Sequence, residues 1–174
     1  MLNIYINTWG NYNTNGADGG KWVTLPMDES ELEEILETTA DAMGDDDPEW
    51  FVNDYEWNCD NHVRNISEFE NYFELNEQMQ RLENLDECEK KAFFAYMDAT
   101  GYYINEVLNA IENGAYQFYE DMDLTDVATE LVNECYFTKD TPDIFARYFD
   151  YEAFGRDLSF DGYYETEWGV IYVE

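Results

Sequence analysis

The residue types that carry most enzyme chemistry are distributed very unevenly in this chain. Carboxylates abound, with 41 Asp plus Glu against 8 Lys plus Arg. Histidine occurs once, at His62, and cysteine three times, at Cys59, Cys88 and Cys135. A lone histidine is more often structural than catalytic. No nucleophile elbow, phosphate-binding glycine loop, paired-histidine zinc motif or EF-hand loop is present. Paired carboxylates catalyse only when their environments push their pKa values apart. With 41 acids a pair arises by chance, so it identifies neither a glycosidase nor an aspartic-type site. The consecutive Asp45, Asp46 and Asp47, and the alternating Asp121 and Asp123, lack the ligand spacing and turn glycine of a calcium loop. Only weak, adventitious divalent binding is expected there. The cysteines are widely spaced and odd in number, which indicates neither a disulfide framework nor a zinc site. The expectation is therefore no catalytic residue, no cofactor, no metal site, and reduced thiols in a cytoplasm.

What remains is the charge itself. The formal net charge is -33, although the charged fraction, 28%, is ordinary. Counted in three blocks, residues 1–63 carry 15 acids and one base (Lys21), residues 64–111 carry 10 acids and four bases, and residues 112–174 carry 16 acids and three bases. The acid is thus not a tail but covers every segment. Such a chain is repelled by nucleic acid and by anionic membrane and is attracted to basic surfaces, the largest of which belong to proteins that bind nucleic acid. Glu29, Glu33 and Glu37 form an i, i+4 ladder that Asp41 extends. Each like-charged pair costs about 0.2–0.5 kcal/mol, and no lysine sits on alternate rungs to relieve it. A ladder alone reads as a solvated helix face; the global bias favours a displayed surface. Asp45, Asp46, Asp47, Glu70, Glu74, Glu77, Glu120, Asp121, Asp126 and Glu130 are expected to extend that surface. Thirty-three net charges correspond to roughly 56 Å of duplex DNA, whereas a compact sphere of this mass is only about 35–40 Å across. A body that spaced its carboxylates like phosphates would be elongated.

The elements that must carry this surface are those of an α+β chain with 45% hydrophobic and 18% aromatic residues, enough for a real core. Alternating Leu2, Ile4 and Ile6 predict a strand. An Asn- and Gly-rich loop is expected from Gly10 to Gly20, then a strand over residues 21–25 ended by Pro26. An acidic helix near 28–43 places Leu32, Ile35, Leu36 and Met43 on one face. Residues 44–49 read as a loop and 50–57 as a third strand. Ser67 and Glu70 have the spacing of a capping box ahead of Tyr72, Phe73, Met79 and Leu82. Asp86 and Glu89 resemble another cap, before Ala92, Phe93, Tyr96 and Met97, with Gly101 as the stop. A third helix holds Ile104, Val107, Leu108 and Ile111 and stops at Gly114. Residues 115–119 read as a strand, Asp123 as the cap of a helix burying Leu124, Val127, Leu131 and Val132, and Thr141-Pro142 as a helix start with proline in the first helical position, followed by Ile144, Phe145, Tyr148 and Phe149. The closing residues predict a hairpin or meander. No segment has the pattern of a signal peptide or the length of a membrane span. Most aromatics are expected in the core, with a few Tyr or Trp as interface anchors.

Two stretches carry a resemblance. Ile4 to Asp28, IYINTWGNYNTNGADGGKWVTLPMD, and Tyr148 to Leu158, YFDYEAFGRDL, resemble the opening and the C-terminal signature of ArdA-type antirestriction proteins. The closing GYYETEWGVIYVE fits as well, and the similarity is collinear over essentially the whole chain. Within the signature stand Asp150, Tyr151, Ala153, Phe154, Gly155, Arg156 and Asp157, for which a structural role is expected. The resemblance implies an α+β fold of three small units in a row: an N-terminal α+β unit over 1–63, a central helical unit over 64–111, and a C-terminal α+β unit over 112–174 that dimerises. It also implies an elongated DNA mimic that occupies the DNA-recognition and methyltransferase core of Type I restriction-modification enzymes. Such proteins are encoded on plasmids and conjugative transposons, and they need no direct contact with nucleic acid. Two other readings stand beside it: an acidic domain of a salt-adapted protein, and an acidic chaperone for a basic DNA-binding protein.

Overall fold

The computed structural model describes residues 1–58 and 66–173, so Cys59 and His62 lie outside the described residues. The chain divides into two compact units, Met1–Asp86 with Tyr103–Asn105, and Glu87–Tyr102 with Glu106–Glu174. Its class is mixed α+β, with strands towards both ends and helices between them. Among the described residues no helix is long and apolar enough to cross a membrane.

The first unit contains β1 (Leu2–Thr8), α1 (Trp9–Asn15), β2 (Lys21–Leu25), α2 (Glu29–Met43), β3 (Trp50–Trp57) and α3 (Tyr72–Asn84). Its strands form an antiparallel sheet in the order β2-β1-β3. The alternation read in β1 is realised: Leu2, Ile4 and Ile6 are fully buried, and Leu2 and Ile4 pair across to Leu25 and Val23. Leu32 of α2 is fully buried as well, while Ile35, Leu36 and Met43 are half-buried.

Two local expectations are corrected. The loop expected from Gly10 begins instead as helix α1. Thr8 caps it, its side chain accepting from the Asn11 N–H at 3.1 Å, and Trp9 stacks on Phe51 with ring centroids 4.1 Å apart. Asn7 Oδ1 accepts from Asn11 Nδ2 at 2.8 Å and from the Thr8 N–H, and Asn11 Nδ2 also donates to the Asp18 carbonyl at 2.7 Å. Asn11, one of the residues that suggested a loop, is thus a brace that ties α1 to Asn7 of β1 and to the Asp18 carbonyl, because its short amide reaches nearby polar groups. Ser67 and Glu70 make a turn rather than the cap of α3. The cap is Asn71, whose Oδ1 accepts from Phe73 N–H at 3.0 Å and Glu74 N–H at 3.3 Å.

The second unit contains α4 (Glu87–Thr100), most of α5 (Ile104–Glu112), β4 (Gln117–Glu120), α6 (Leu124–Leu131), a π-helical turn over Val132–Tyr136, α7 (Asp143–Tyr148), α8 (Tyr151–Leu158), β5 (Tyr163–Thr166) and β6 (Gly169–Tyr172). The sheet is antiparallel, ordered β4-β6-β5. Helices α6 and α8 pack on each other, α4 lies on the sheet, and Val127, Ala128, Leu158 and Val170 form a core cluster. Asp123 caps α6 in a reciprocal capping box with Asp126. Pro142 stands one residue before α7 rather than within its first turn. Gly169, the first residue of β6, has φ +130°, and a Cβ there would lie 2.2 Å from the Tyr119 carbonyl oxygen, so only glycine fits the position.

Candidate functional site

The acids named from the sequence are exposed to different degrees. Glu29, Glu33, Glu37, Asp41, Asp46, Asp47, Glu74, Glu77, Glu120, Asp121 and Asp126 are exposed, and Asp45, Glu70 and Glu130 are half-exposed. They are not equivalent, however. Asp45 accepts a 2.7 Å hydrogen bond from Thr8 Oγ1 and so ties the end of α2 to the cap of α1. Glu70 accepts from the Ser67 N–H at 3.4 Å. Glu120 is ion-paired with Lys91, and the hydrogen bond to Glu120 is the main reason the Lys91 pKa is raised. Asp126 is half of the α6 capping box. Asp121 sits at φ 57° in the turn after β4. Glu130 has one carboxylate oxygen shielded from solvent and without a hydrogen-bond partner. Nearby, Tyr119 has its pKa raised chiefly by burial and then by the Glu130 charge.

Helix α2 carries six of the exposed acids on one element. Glu29, Glu31, Glu33, Glu34, Glu37 and Asp41 are all exposed, and no Lys or Arg occurs in the helix. The ladder pattern identified four of these six; Glu31 and Glu34 are found only by counting every acid on the helix. Fifteen residues rise about 22 Å, so six charges fall at about one per 3.8 Å of axis. One strand of duplex DNA carries one charge per about 3.4 Å. At the N-terminus, Asp28 Oδ1 accepts from both the hydroxyl and the N–H of Ser30, and its pKa is lowered by those bonds, the hydroxyl first.

The signature residues 150–157 do different work. Asp150 caps α8 by accepting from the Ala153 N–H at 2.9 Å. The rings of Tyr151 and Phe154 hold Phe149, with centroids 4.9 and 5.8 Å away. Gly155 is buried where α8 meets α6; a Cβ there would come within 2.6 Å of the Leu124 carbonyl oxygen. Half-buried Ala153 lies in the same helix. Arg156 lies 3.8 Å from Asp157, but both side chains are about two-thirds exposed or more, at 71% and 67%, so this pair contributes little.

Helix α7 was not recognised as a surface from its sequence. Ile144, Phe145 and Tyr148 are exposed, as is Tyr136 in the π-turn, and α7 buries none of its residues. The signal was available in the composition. Residues 136–149 hold five aromatics and balance two acids (Asp140, Asp143) with two bases (Lys139, Arg147) in a chain of net charge -33.

A family profile described as Antirestriction protein (ArdA) matches residues 4–172. No curated protein matches. The chain belongs to the ArdA antirestriction family, which the matched span shows over nearly its whole length, and an antirestriction function comes with that membership.

Proposed function

We propose that this protein is a non-catalytic inhibitor whose acidic surface takes the place of DNA in the DNA-binding cleft of a Type I restriction-modification enzyme. The observation that carries the reading is α2, where exposed carboxylates without a base in the helix match the axial charge spacing of one DNA strand. A cleft built to grip phosphates with Lys and Arg meets a similar row of anions on a pre-folded scaffold, so the ordering cost is already met before binding. The same reading includes three parts over 1–63, 64–111 and 112–174, cytoplasmic action, no direct nucleic-acid binding, and service to an incoming plasmid or conjugative transposon. It also includes a homodimer. The exposed aromatic face around α7, charge-balanced over residues 136–149, supports self-association there, since two copies of a polyanion repel one another least at a neutral patch.

Competition tests the proposal. A fluorescent duplex bound to a Type I enzyme core should be displaced by this protein, with an inhibition constant that weakens steeply as salt rises. If protein and duplex occupy the enzyme together without mutual loss of affinity, the proposal fails.

A further inference from the structure

The segment from Phe137 to Phe149 is fastened mainly by rings. Phe149 meets Phe137 (5.8 Å), Tyr151 (4.9 Å) and Phe154 (5.8 Å) between centroids, and Tyr136 lies 6.0 Å from Phe154. Inside this clasp the hydrogen bonds are local: Thr141 N–H to the Thr138 carbonyl, Thr138 N–H to Thr141 Oγ1, and Phe145 N–H to the Pro142 carbonyl. Helix α7 has six residues, no side-chain cap and no buried residue. A helix that short is unstable on its own propensity, and its large side chains, Ile144, Phe145 and Tyr148, face solvent rather than a core.

We infer that α7 is a strap whose ordering is coupled to self-association: in a single copy it opens readily about the Phe149 clasp, and a second copy closes it. This rests on the self-association reading above. The second copy is the fitting occupant because residues 136–149 carry no net charge in a chain of -33. In a two-fold contact the same patch meets itself, which offers Lys139 and Arg147 of each copy to Asp140 and Asp143 of the other. A basic DNA-binding cleft has no such match to a neutral aromatic face. Coupling follows from mass action, because covering the ordered strap depletes the open form.

Trypsin reads the strap directly, since Lys139 and Arg147 both lie within it, while Lys21 in β2 serves as the reference. Cleavage of a transiently open segment tracks the open population. Over a dilution series, sedimentation gives the association midpoint and mass spectrometry gives each cleavage rate. At a total concentration about one hundred times the dissociation constant, about 7% of the chains of a self-associating pair remain single by mass action, so cleavage at Lys139 and Arg147 should slow by about fifteenfold, while cleavage at Lys21 stays constant. Phe145→Asp places a charge on the exposed face, away from the Phe149 clasp. It should remain a single copy, keep its circular dichroism and be cut rapidly at every concentration. If the wild type associates while cleavage at the two strap sites ignores concentration, the coupling is refuted and self-association survives. A single-copy Phe145→Asp protein as resistant as the assembled wild type refutes it equally. If the wild type never associates, the self-association reading falls and takes the strap with it.

Discussion

Neutralising the α2 ladder should make the protein more stable and a weaker inhibitor at once. The perturbation is Glu29→Gln, Glu33→Gln, Glu37→Gln and Asp41→Asn together; all four positions are exposed on one helix that has no base. Three i, i+4 repulsions vanish, 29 with 33, 33 with 37, and 37 with 41. At about 0.2–0.5 kcal/mol each, that is a gain of roughly 0.6–1.5 kcal/mol. Asp41 stands near the negative end of the helix dipole and Glu29 in the first turn near the positive end, so the dipole effects of neutralising the two offset each other and leave the ladder repulsions to set the sign. For a chain of this size the gain is read as a rise in Tm of a few degrees. The remaining exposed acids, Glu31 and Glu34, leave about a third of the helix's charge row. The assay pairs thermal unfolding at low salt with the duplex-displacement measurement. The variant should melt higher, should require more protein to displace the duplex, and should show a shallower salt dependence because fewer charges engage the cleft. A lower melting temperature would refute the argument that the ladder is maintained against its own repulsion. Unchanged displacement by the stabilised variant would remove α2 from the inhibitory surface.

Other consequences can be checked separately. Gly155→Ala forces a methyl against the Leu124 carbonyl, 2.6 Å from the Cβ position, and should cost about 1–3 kcal/mol in chemical denaturation. Asn76 is buried and bonds Met27 on both sides, accepting from its N–H and donating to its carbonyl at 2.9 Å each. Asn76→Leu leaves the Met27 N–H unpaired and its carbonyl with only the 3.3 Å bond from Gln80 Nε2, and should cost about 1–3 kcal/mol for the unsatisfied donor. Burial raises the pKa of Tyr72, Tyr96, Tyr119 and Tyr163 above the ordinary 10.0. Their neutral forms therefore stabilise the fold fully below about pH 10, and that contribution is lost as pH rises through the higher folded values. Absorbance titration should show a late-ionising group of tyrosines in the folded protein that merges with the rest in denaturant; a single transition near pH 10 would contradict this.

The elements with a clear period were legible. Leu2, Ile4 and Ile6 alternate and are buried; Leu32 marks the inner side of α2; Asp123 begins α6. Composition alone established that the acid is displayed, since so many carboxylates cannot be buried without partners. What escaped were short-range polar contacts and tertiary exposure. Asn11 lies in a stretch with the composition of a loop, and its hydrogen bond to Asn7 of β1 is what distinguishes a braced helix from a turn. Asn71, not Ser67, caps α3, although Ser67 and Glu70 have the more familiar spacing. The apolar positions of α7 have helical spacing, which predicts a buried face, yet no partner element within the described part of its unit covers Ile144, Phe145 or Tyr148. Periodicity states that a face is apolar and leaves open what covers it. Nor could the sequence tell which acids are occupied: Asp45 by Thr8, Glu120 by Lys91, Asp126 by the backbone of α6.

Those occupied acids indicate how a chain of net charge -33 folds without neutralising the surface it displays. Lysine and arginine are too few to pair the acids, although Lys90–Glu87, Lys91–Glu120 and Arg156–Asp157 do pair in the second unit. In the first unit α2 has no base at all. The positive ends of helices substitute. Asp28, Asp123 and Asp150 each accept a hydrogen bond from the first turn of α2, α6 and α8, and Asp126 accepts one from the Asp123 N–H. Each cap is worth about 1 kcal/mol, and the partial positive charge of the helix terminus favours an acid there. An amide dipole stabilises an anion without adding a cation to the surface. Neutral caps at Thr8 and Asn71 serve where no charge is needed. Acids spent at helix starts therefore stabilise the scaffold, while those along the body of α2 repel one another, so folding does not account for that second group, whereas the basic cleft proposed above would.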